Sequence, residues 1–448
     1  MKLTKILFVM GLVSLLLLSV ATLSVFSEEV VLKIMFPGWW GGWTDKQNNY
    51  FIPEFNKMMA EKGIKLEYVE YPAPDATYKE KLVLDLAAGE APDLLFIDLP
   101  WVGELVDAEY LADLTPKVNQ WNEWDQWSPA VKGAVTFMGK VWALQEDTDT
   151  RPILYRKDVF AKAGIPVPWQ PKSWDDLLEA ARTIKEKVPG VAPFTTHFGT
   201  TCVECTTMNG FYPFLIGAGG YLYDRSANKW VSRSQALEDA FRFFKTIYDE
   251  DLSLGKKFWL AGAAIDKAQD KFTDGSLAMI ITWDGVYFDY SPGGTREIPD
   301  WKEKIGYAMI PAKSPGAGLD GRSFTSMGGG WGFAISSKCK DIDAAWEFLK
   351  LRFGKEGALY MLDETKLPLR KDVTSVLVPK MDDYTKWRAE TVLPINAFRP
   401  PLPIYPRVSD LIARSTESIL LDKSVEEIMA AYEKDLKALV GAANTISK

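Results

Sequence analysis

The fold is decided by residues 77–97, TYKEKLVLDLAAGEAPDLLFI, where a helical pattern passes directly into a strand pattern. Thr77 and Glu80 have the spacing of a capping box, so we expect a helix to begin here. Its apolar stripe consists of Tyr78, Leu82, Val83 and Leu86. Gly89 then ends the helix. The continuous apolar run at 94–97 predicts a short strand that is buried on both faces, as in a parallel sheet covered by helices.

The same alternation extends on both sides of this stretch. Residues 30–36 and 65–69 are rich in strand-forming side chains. Helical stripes begin after Ser173 and Ser424, and others run through residues 237–248 and 342–353. Alternating strands and helices predict an α/β fold with a parallel sheet.

Composition and charge exclude several classes of function. The chain has 448 residues, of which 47% are hydrophobic and 25% are charged, as in a globular protein of two or three domains. Its net charge is −8 and it has no basic block, which argues against a nucleic-acid partner. His197 is the only histidine, so sites with several histidine ligands are excluded. We expect no metal and no cofactor.

The N-terminus has the pattern of an export signal. Lys2 and Lys5 precede an uncharged run over residues 6–27, and Val25 and Ser27 are small enough for a cleavage site. We therefore expect residues 1–27 to be a signal peptide and the mature protein to be periplasmic or extracellular. No cysteine lies near the cleavage site for lipid attachment. An uncleaved membrane anchor is the alternative, because the run is long enough to span a bilayer.

Several segments, in a fixed order, resemble the family 1 extracellular solute-binding proteins, the sugar receptors of ABC importers related to maltose-binding protein. They are LAAGEAPDLLF at 86–96, LADLT at 111–115, YRKD at 155–158 with AGI at 163–165 and KSWDDL at 172–177, FTDG at 272–275 with Ala278 and Met279, and AWEFL at 345–349. This resemblance implies a two-lobed periplasmic-binding-protein fold of type II, with hinge strands beneath a cleft. It places residues 28–148 with 287–345 in the first lobe, and residues 149–286 with 346–448 in the second.

The resemblance also implies that the cleft binds a carbohydrate, and the 17 tryptophans suit this task. Sugars need flat aromatic platforms for their C–H faces, together with hydrogen-bonding groups for their hydroxyl rims. Trp39, Trp40 and Trp43 lie in a glycine-flanked turn after the first strand. A loop is a poor place for core residues because its backbone stays solvated. We therefore expect at least one of the three to contact ligand, with local packing as the alternative.

Further candidates occupy positions that match contact regions of the family. An ionised carboxylate at such a position accepts hydrogen bonds from hydroxyl groups. Asp149 matches an acid of the family near the hinge, and Asp147 lies beside it. The remaining candidates of this kind are Asp98, Trp101, Asn209, Tyr212, Trp283, Asp284, Arg399 and Tyr405. Trp331 is a candidate for another reason, because the glycines on both sides of it let a flat ligand approach the backbone closely. In contrast, Trp121, Trp124 and Trp127 have the spacing of a packed face, and we interpret them as structural.

The three cysteines allow little further chemistry. Cys202 and Cys205 have the spacing of a redox motif, but in an oxidising compartment a local disulfide is favoured. A metal site built from His197 and the cysteines is a weaker alternative.

A secreted glycoside hydrolase is the main alternative to a receptor. Asp147 and Asp149 on an extended segment would lie about 6–7 Å apart, within the range that glycoside hydrolysis uses. However, hydrolysis needs its two carboxyl groups on opposite sides of the bond. Neighbouring acids on one segment suit hydroxyl binding better. The resemblance therefore remains the favoured interpretation, and it implies a monomeric, non-catalytic receptor that delivers an oligosaccharide to the permease of an ABC transporter.

Overall fold

The structure is a computed structural model, and it describes residues 29–37, 41–71, 75–362 and 366–448. Within these ranges, no helix is both long and apolar enough to cross a membrane. The predicted signal peptide, as well as Trp39 and Trp40, lies outside the described residues.

Sixteen strands form within the described ranges, and most belong to two large sheets. The strands are β1 (Val30–Pro37), β2 (Ile64–Tyr71), β3 (Leu94–Asp98), β4 (Thr136–Phe137), β5 (Lys140–Val141), β6 (Ala143–Gln145), β7 (Pro152–Arg156), β8 (Ala192–Thr195), β9 (Tyr223–Asp224), β10 (Lys229–Arg233), β11 (Leu277–Ile281), β12 (Ile305–Pro311), β13 (Phe324–Gly328), β14 (Trp331–Ile335), β15 (Asn396–Phe398) and β16 (Thr445–Ser447). The first sheet has the order β2-β1-β3-β14-β6, and the second has the order β15-β13-β12-β7-β11-β8. Strands β1, β2 and β3 pair in parallel, as the sequence predicts.

Seven helices have eleven residues or more in the part of the chain that the structure describes. They are α1 (Asp75–Ala88), α2 (Trp174–Lys187), α3 (Gln235–Asp249), α4 (Ala264–Asp274), α5 (Ile342–Phe353), α6 (Tyr405–Leu420) and α7 (Val425–Val440). Shorter α-helices span Gly41–Lys46, Ile52–Met59, Val102–Asp107, Thr115–Gln120, Pro129–Ala134, Lys157–Ala163, Val203–Cys205, Tyr212–Gly217, Lys256–Trp259, Val286–Asp289, Trp301–Lys304, Lys355–Met361, Lys371–Leu377 and Asp383–Trp387. Two predicted caps are present, since Ser173 accepts a hydrogen bond from the Asp176 N–H and Ser424 forms a capping box with Glu427. The predicted capping box at Thr77 is wrong, because α1 begins at Asp75 and Thr77 lies inside it.

Each large sheet has its own hydrophobic core, and the two cores define two lobes. The core of the first lobe takes its residues from 32–144 and 333–361. The core of the second lobe takes its residues from 153–310, Met327 and 384–436. The described chain therefore has the two-lobed α/β architecture expected from the resemblance.

The expected lobe borders need correction after residue 286. Residues 287–327 belong to the second lobe rather than the first, because β12 pairs with β7 and β13 pairs with β12. Residues 346–361 belong to the first lobe rather than the second, because α5 packs Trp346, Leu349 and Phe353 into the first core. An apolar stripe predicts a buried helix face, but it does not indicate which of two sheets covers that face.

The chain passes between the lobes at three places. Residues 146–151 join β6 of the first sheet to β7 of the second, and Gly329 and Gly330 join β13 to β14. A third passage follows residue 361, because Met361 lies in the first core and Tyr384 in the second. We call residues 146–151 and 329–330 the crossing segments.

Candidate functional site

The two crossing segments are joined to each other by side chains. Asp147 accepts a hydrogen bond from the backbone N–H of Trp331 at 3.0 Å. Asp149 accepts one from the N–H of Gly329 at 2.6 Å. The Gln145 amide donates to the carbonyl oxygens of Asp147 and Gly329 at 2.8 and 3.3 Å. Both acids predicted from the sequence therefore lie at the hinge, where they satisfy the backbone of the opposite segment.

Gly330 lies at a point where the crossing segments approach each other closely. Its φ of +154° is accompanied by very little space for a side chain. A Cβ atom added there would lie 2.5 Å from the carbonyl oxygen of Asp147. Only glycine at this position therefore allows the two segments to lie this close together.

The two acids of the hinge differ in their surroundings. Burial raises the pKa of Asp147 to about 7, although the charge of Lys366 and the Trp331 N–H oppose this shift. Asp149 forms an ion pair with Arg151 at 2.6 Å. Arg151 also donates a hydrogen bond to the side-chain oxygen of Asn209, which lies in the second lobe. Asp149 is thus linked through Arg151 to a side chain that faces it from the second lobe.

Tryptophans of the first lobe form an aromatic surface next to this hinge. The ring of Trp331 stacks on Phe96, with centroids 5.1 Å apart and an interplanar angle of 13°. The rings of Trp101 and Tyr78 meet Trp331 edge-on, at 5.3 and 5.8 Å. Phe96 and Tyr78 are buried, whereas Trp331 and Trp101 remain partly exposed. The packing thus holds two indoles in fixed orientations beside the hinge.

The second lobe contributes a polar group with one partly exposed indole. Asn209 contacts the Nδ1 atom of His197 at 3.3 Å. Burial, together with the nearby charge of Arg151, lowers the pKa of His197 to about 3, so its imidazole is neutral at neutral pH. Trp283 meets this imidazole edge-on at 6.4 Å and is only partly buried. A neutral donor and acceptor pair therefore lies beside an aromatic ring in this lobe.

Asp98 and Arg399 contact each other across the two lobes. Asp98 ends β3 of the first sheet, and Arg399 follows β15 of the second. The guanidinium donates to both Asp98 oxygens, at 2.9 and 3.3 Å, and to Glu204 at 3.0 Å. Burial raises the pKa of Asp98 to about 6, although Arg399 opposes this shift. Asp98 and Arg399, which were both predicted to contact ligand, therefore form an ion pair with each other.

Three predicted contact residues pack into the interior of a lobe. Trp43 lies in the first core, where its ring stacks on Phe36 at 6.5 Å. Tyr212 begins a short helix inside the second core, and Tyr405 is fully buried in the same core with its hydroxyl on Glu204. The prediction of direct ligand contact is corrected to a packing role for these residues, because their rings present no open face.

Asp284 is also assigned to the interior. It forms a buried ion pair with Arg388 at 2.9 Å and accepts hydrogen bonds from the N–H and hydroxyl of Thr150. One carboxylate oxygen of Asp284, Oδ2, thus contacts three protein donors. Asp284 therefore fixes the end of the first crossing segment to the second lobe, in place of the predicted ligand contact.

The cysteines and the tryptophans of the packed face have local roles. A disulfide joins Cys202 to Cys205. Across the described ranges, no cluster of His, Cys, Asp or Glu has the geometry to hold a metal ion. The rings of Trp121 and Trp124 both pack against Trp127, as expected for structural residues.

Sequence reasoning did not select four residues that organise this region, namely Gln145, Arg151, His197 and Glu204. Arg151 lies two positions after Asp149, at the end of a run with three acidic residues, and this short spacing was a usable signal for an ion pair. The contact between Glu204 and Arg399 spans 195 positions, so no local pattern could predict it.

Two lobes joined by crossing segments, with polar and aromatic side chains facing the joint, define a two-lobed binding protein. A family model described as "Bacterial extracellular solute-binding protein" matches residues 42–358. The chain belongs to this family. Its members bind solutes and are not enzymes, so the protein is a non-catalytic receptor.

Comparisons with individual proteins agree with this assignment. The chain is 26% identical over 361 residues to a putative binding protein of Brucella abortus, covering 77% of this chain and 78% of the relative. It is 25% identical over 315 residues to the arabinooligosaccharide-binding protein of Bacillus subtilis, covering 68% and 65%. A solved solute-binding protein of Thermotoga lettingae bound with α-D-tagatose is similar at a TM-score of 0.72 and 26% identity, covering 92% of this chain and all of that one.

Proposed function

We propose that the protein captures a carbohydrate, most suitably an oligosaccharide, between its two lobes and delivers it to the permease of an ABC transporter. The observation that carries this proposal is the pair of partly exposed indoles, Trp331 and Trp101, next to the crossing segment whose Gly329 N–H contacts the carboxylate of Asp149. Aromatic planes suit the C–H faces of sugars, and carboxylates accept hydrogen bonds from hydroxyl groups. Trp283, which is partly exposed, is the contact that we assign to the second lobe. Asn209 is buried, and its amide is used by Arg151 and His197.

Relatives support the choice of ligand class. One is named an arabinooligosaccharide-binding protein, and another a maltooligosaccharide-binding lipoprotein of an ABC transporter. A structural neighbour at 26% identity was solved with a ketohexose, α-D-tagatose. The family is extracellular, which agrees with an export signal in residues 1–27 and with a location outside the cytoplasm. We further propose that the mature protein acts as a monomer.

The acids of the hinge are better suited to binding than to hydrolysis. Asp149 uses one oxygen to accept the N–H of Gly329 in the opposite crossing segment, and Asp147 uses one to accept the N–H of Trp331, the residue that follows this segment. Hydrolysis needs an acid and a base placed on either side of a sugar bond. Both carboxyl groups instead lie along one segment and brace the hinge, so Asp149 is proposed as a hydroxyl acceptor.

A thermal-shift panel of neutral monosaccharides, disaccharides and oligosaccharides tests the proposal. A sugar at roughly 100 times its dissociation constant should stabilise the protein by about 2.7 kcal/mol and raise its Tm. Amino acids and short peptides serve as negative ligands. A panel in which peptides raise the Tm and sugars do not would remove the carbohydrate assignment.

A matched pair of variants tests the site itself. Trp331→Ala should weaken binding of the best sugar by about tenfold, which corresponds to ~1.4 kcal/mol. Trp124→Phe is the control, because its ring packs on Trp127 and contacts neither the hinge nor Trp101. Equal affinities for the two variants would move the binding site elsewhere. Release of reducing sugar during the titration would indicate hydrolysis instead.

A further inference from the structure

A single buried guanidinium connects the two lobes beside the hinge. Arg399 donates to both carboxylate oxygens of Asp98 in the first lobe and to Glu204 in the second. Arg399 is 7% exposed, and the side chain of Asp98 is 15% exposed. We call this set of three residues the Arg399 bridge.

The partners of Arg399 within the second lobe hold it firmly. The hydroxyl of Tyr405 donates to the same Glu204 oxygen that accepts from Arg399, at 3.0 Å. Glu204 lies between Cys202 and Cys205, whose disulfide restrains its backbone. Arg399 is therefore oriented by its own lobe, and Asp98 is the partner that it meets across the gap between lobes.

The chain that carries Arg399 is fitted closely against the first lobe. Phe398 packs against the first core, whereas Leu402 and Ile404 pack against the second. A Cβ atom added at Gly103 would lie 2.8 Å from the nitrogen of Pro403. The segment thus spans both lobes and fixes the distance between Arg399 and the end of β3.

The chemistry makes this contact stronger than an ordinary surface pair. A guanidinium that meets both oxygens of a carboxylate forms charge-assisted hydrogen bonds in a fixed geometry. The pair is largely shielded from water, so it is screened weakly by salt. Separating the lobes at this point would expose both groups to water and break two hydrogen bonds.

We propose that the Arg399 bridge sets the closure equilibrium of the receptor by holding the lobes together before any ligand is present. Arg399 is a positioning residue: it acts on the gap between lobes through Asp98 and contacts no sugar itself. The inference rests on the proposed capture of ligand between lobes, since a ligand that needs an open cleft must first separate Arg399 from Asp98. Movement at this point breaks the Asp98 contact together with the packing of Phe398 and residues 401–403 on the first lobe, whereas Glu204 and Tyr405 travel with Arg399.

Small-angle X-ray scattering of the ligand-free full chain tests the bridge. Asp98→Asn and Arg399→Gln should both shift the radius of gyration to a larger value than that of the wild type. Arg407→Gln is the matched control, because Arg407 is exposed and lies on α6 near the same segment. Arg399→Lys keeps the positive charge and should recover part of the compaction. Circular dichroism confirms that each variant is folded.

The outcomes separate the bridge from the proposed function. Scattering curves of Asp98→Asn and Arg399→Gln that superimpose on those of the wild type and Arg407→Gln overturn the bridge. Because no sugar is added, this result is independent of the thermal-shift panel. Expansion in the two bridge variants supports the inference even where no sugar in the panel raises the Tm.

Discussion

Removing Arg352 should cost more stability than removing any surface cation, because it would leave a carboxylate buried without its partner. Arg352 in α5 forms an ion pair with Glu146 at 2.7 Å and donates a further hydrogen bond from Nε at 2.9 Å. Both side chains are almost fully buried. The pair attaches the first crossing segment to the core of the first lobe.

The magnitude follows from the burial of the pair. Breaking a buried ion pair by removal of one partner costs about 3–5 kcal/mol. Arg352→Met should therefore lower the free energy of unfolding by this amount, and it also removes the guanidinium from the faces of Phe51 and Phe333. Glu146→Gln in the Arg352→Met background should recover part of the loss, since a neutral amide needs no counter-charge.

The assay is urea unfolding followed by circular dichroism, with Lys350→Met as the matched control on the same helix. Lys350 pairs with Glu347 at the surface, and such pairs contribute less than about 1 kcal/mol. Burial already raises the pKa of Glu146, so the Arg352→Met variant should gain stability as the pH falls and this carboxyl becomes protonated. Equal losses for Arg352→Met and Lys350→Met would refute the reasoning.

Three further predictions concern the hinge and one helix. The pKa of Asp147 is raised to about 7 in the folded state, so its contribution to stability is present at low pH and is lost as the pH rises through 7. Between about pH 5 and pH 8, the free energy of unfolding of the wild type, measured with urea, should fall by about 2–3 kcal/mol relative to that of Asp147→Asn. Parallel pH profiles for the two proteins would contradict this. Gly330→Ala should lower the Tm, because its Cβ would lie 2.5 Å from the Asp147 carbonyl oxygen; an unchanged Tm would mean that the crossing segments can separate. Gly133→Ala lies in a helix with nothing within 4 Å of its Cβ and should instead raise stability by about 0.5–1 kcal/mol, whereas a loss would show that this helix interior is crowded.

Local structure was predictable wherever the signal lies within a few residues. The capping box at Ser424 forms with Glu427, and the stripe at 342–353 is the helix Ile342–Phe353. The strand at Leu94–Asp98 is buried along most of its length, as its continuous apolar run predicts. These features depend on backbone hydrogen bonds and on side-chain spacing, both of which are encoded locally.

The site depends on contacts between distant parts of the chain. Asp284 looked available beside Trp283, but Arg388 reaches it from more than 100 positions away. Asp98 and Arg399 each had the chemistry of a ligand contact, yet they neutralise each other across the lobes. Residue type indicates which interactions a side chain can make, and only the tertiary fold decides which partner it meets.

The bracing of the crossing segments concerns how the molecule would bend. Hydrogen bonds from Gln145, Asp147 and Asp149 hold these two segments side by side, so the segments behave as one rigid unit rather than as two flexible linkers. Rotation of the backbone is then confined to the few bonds at either end of these segments. Residues that contact different ligands can therefore change during evolution while the crossing segments, and with them the movement between the lobes, stay the same.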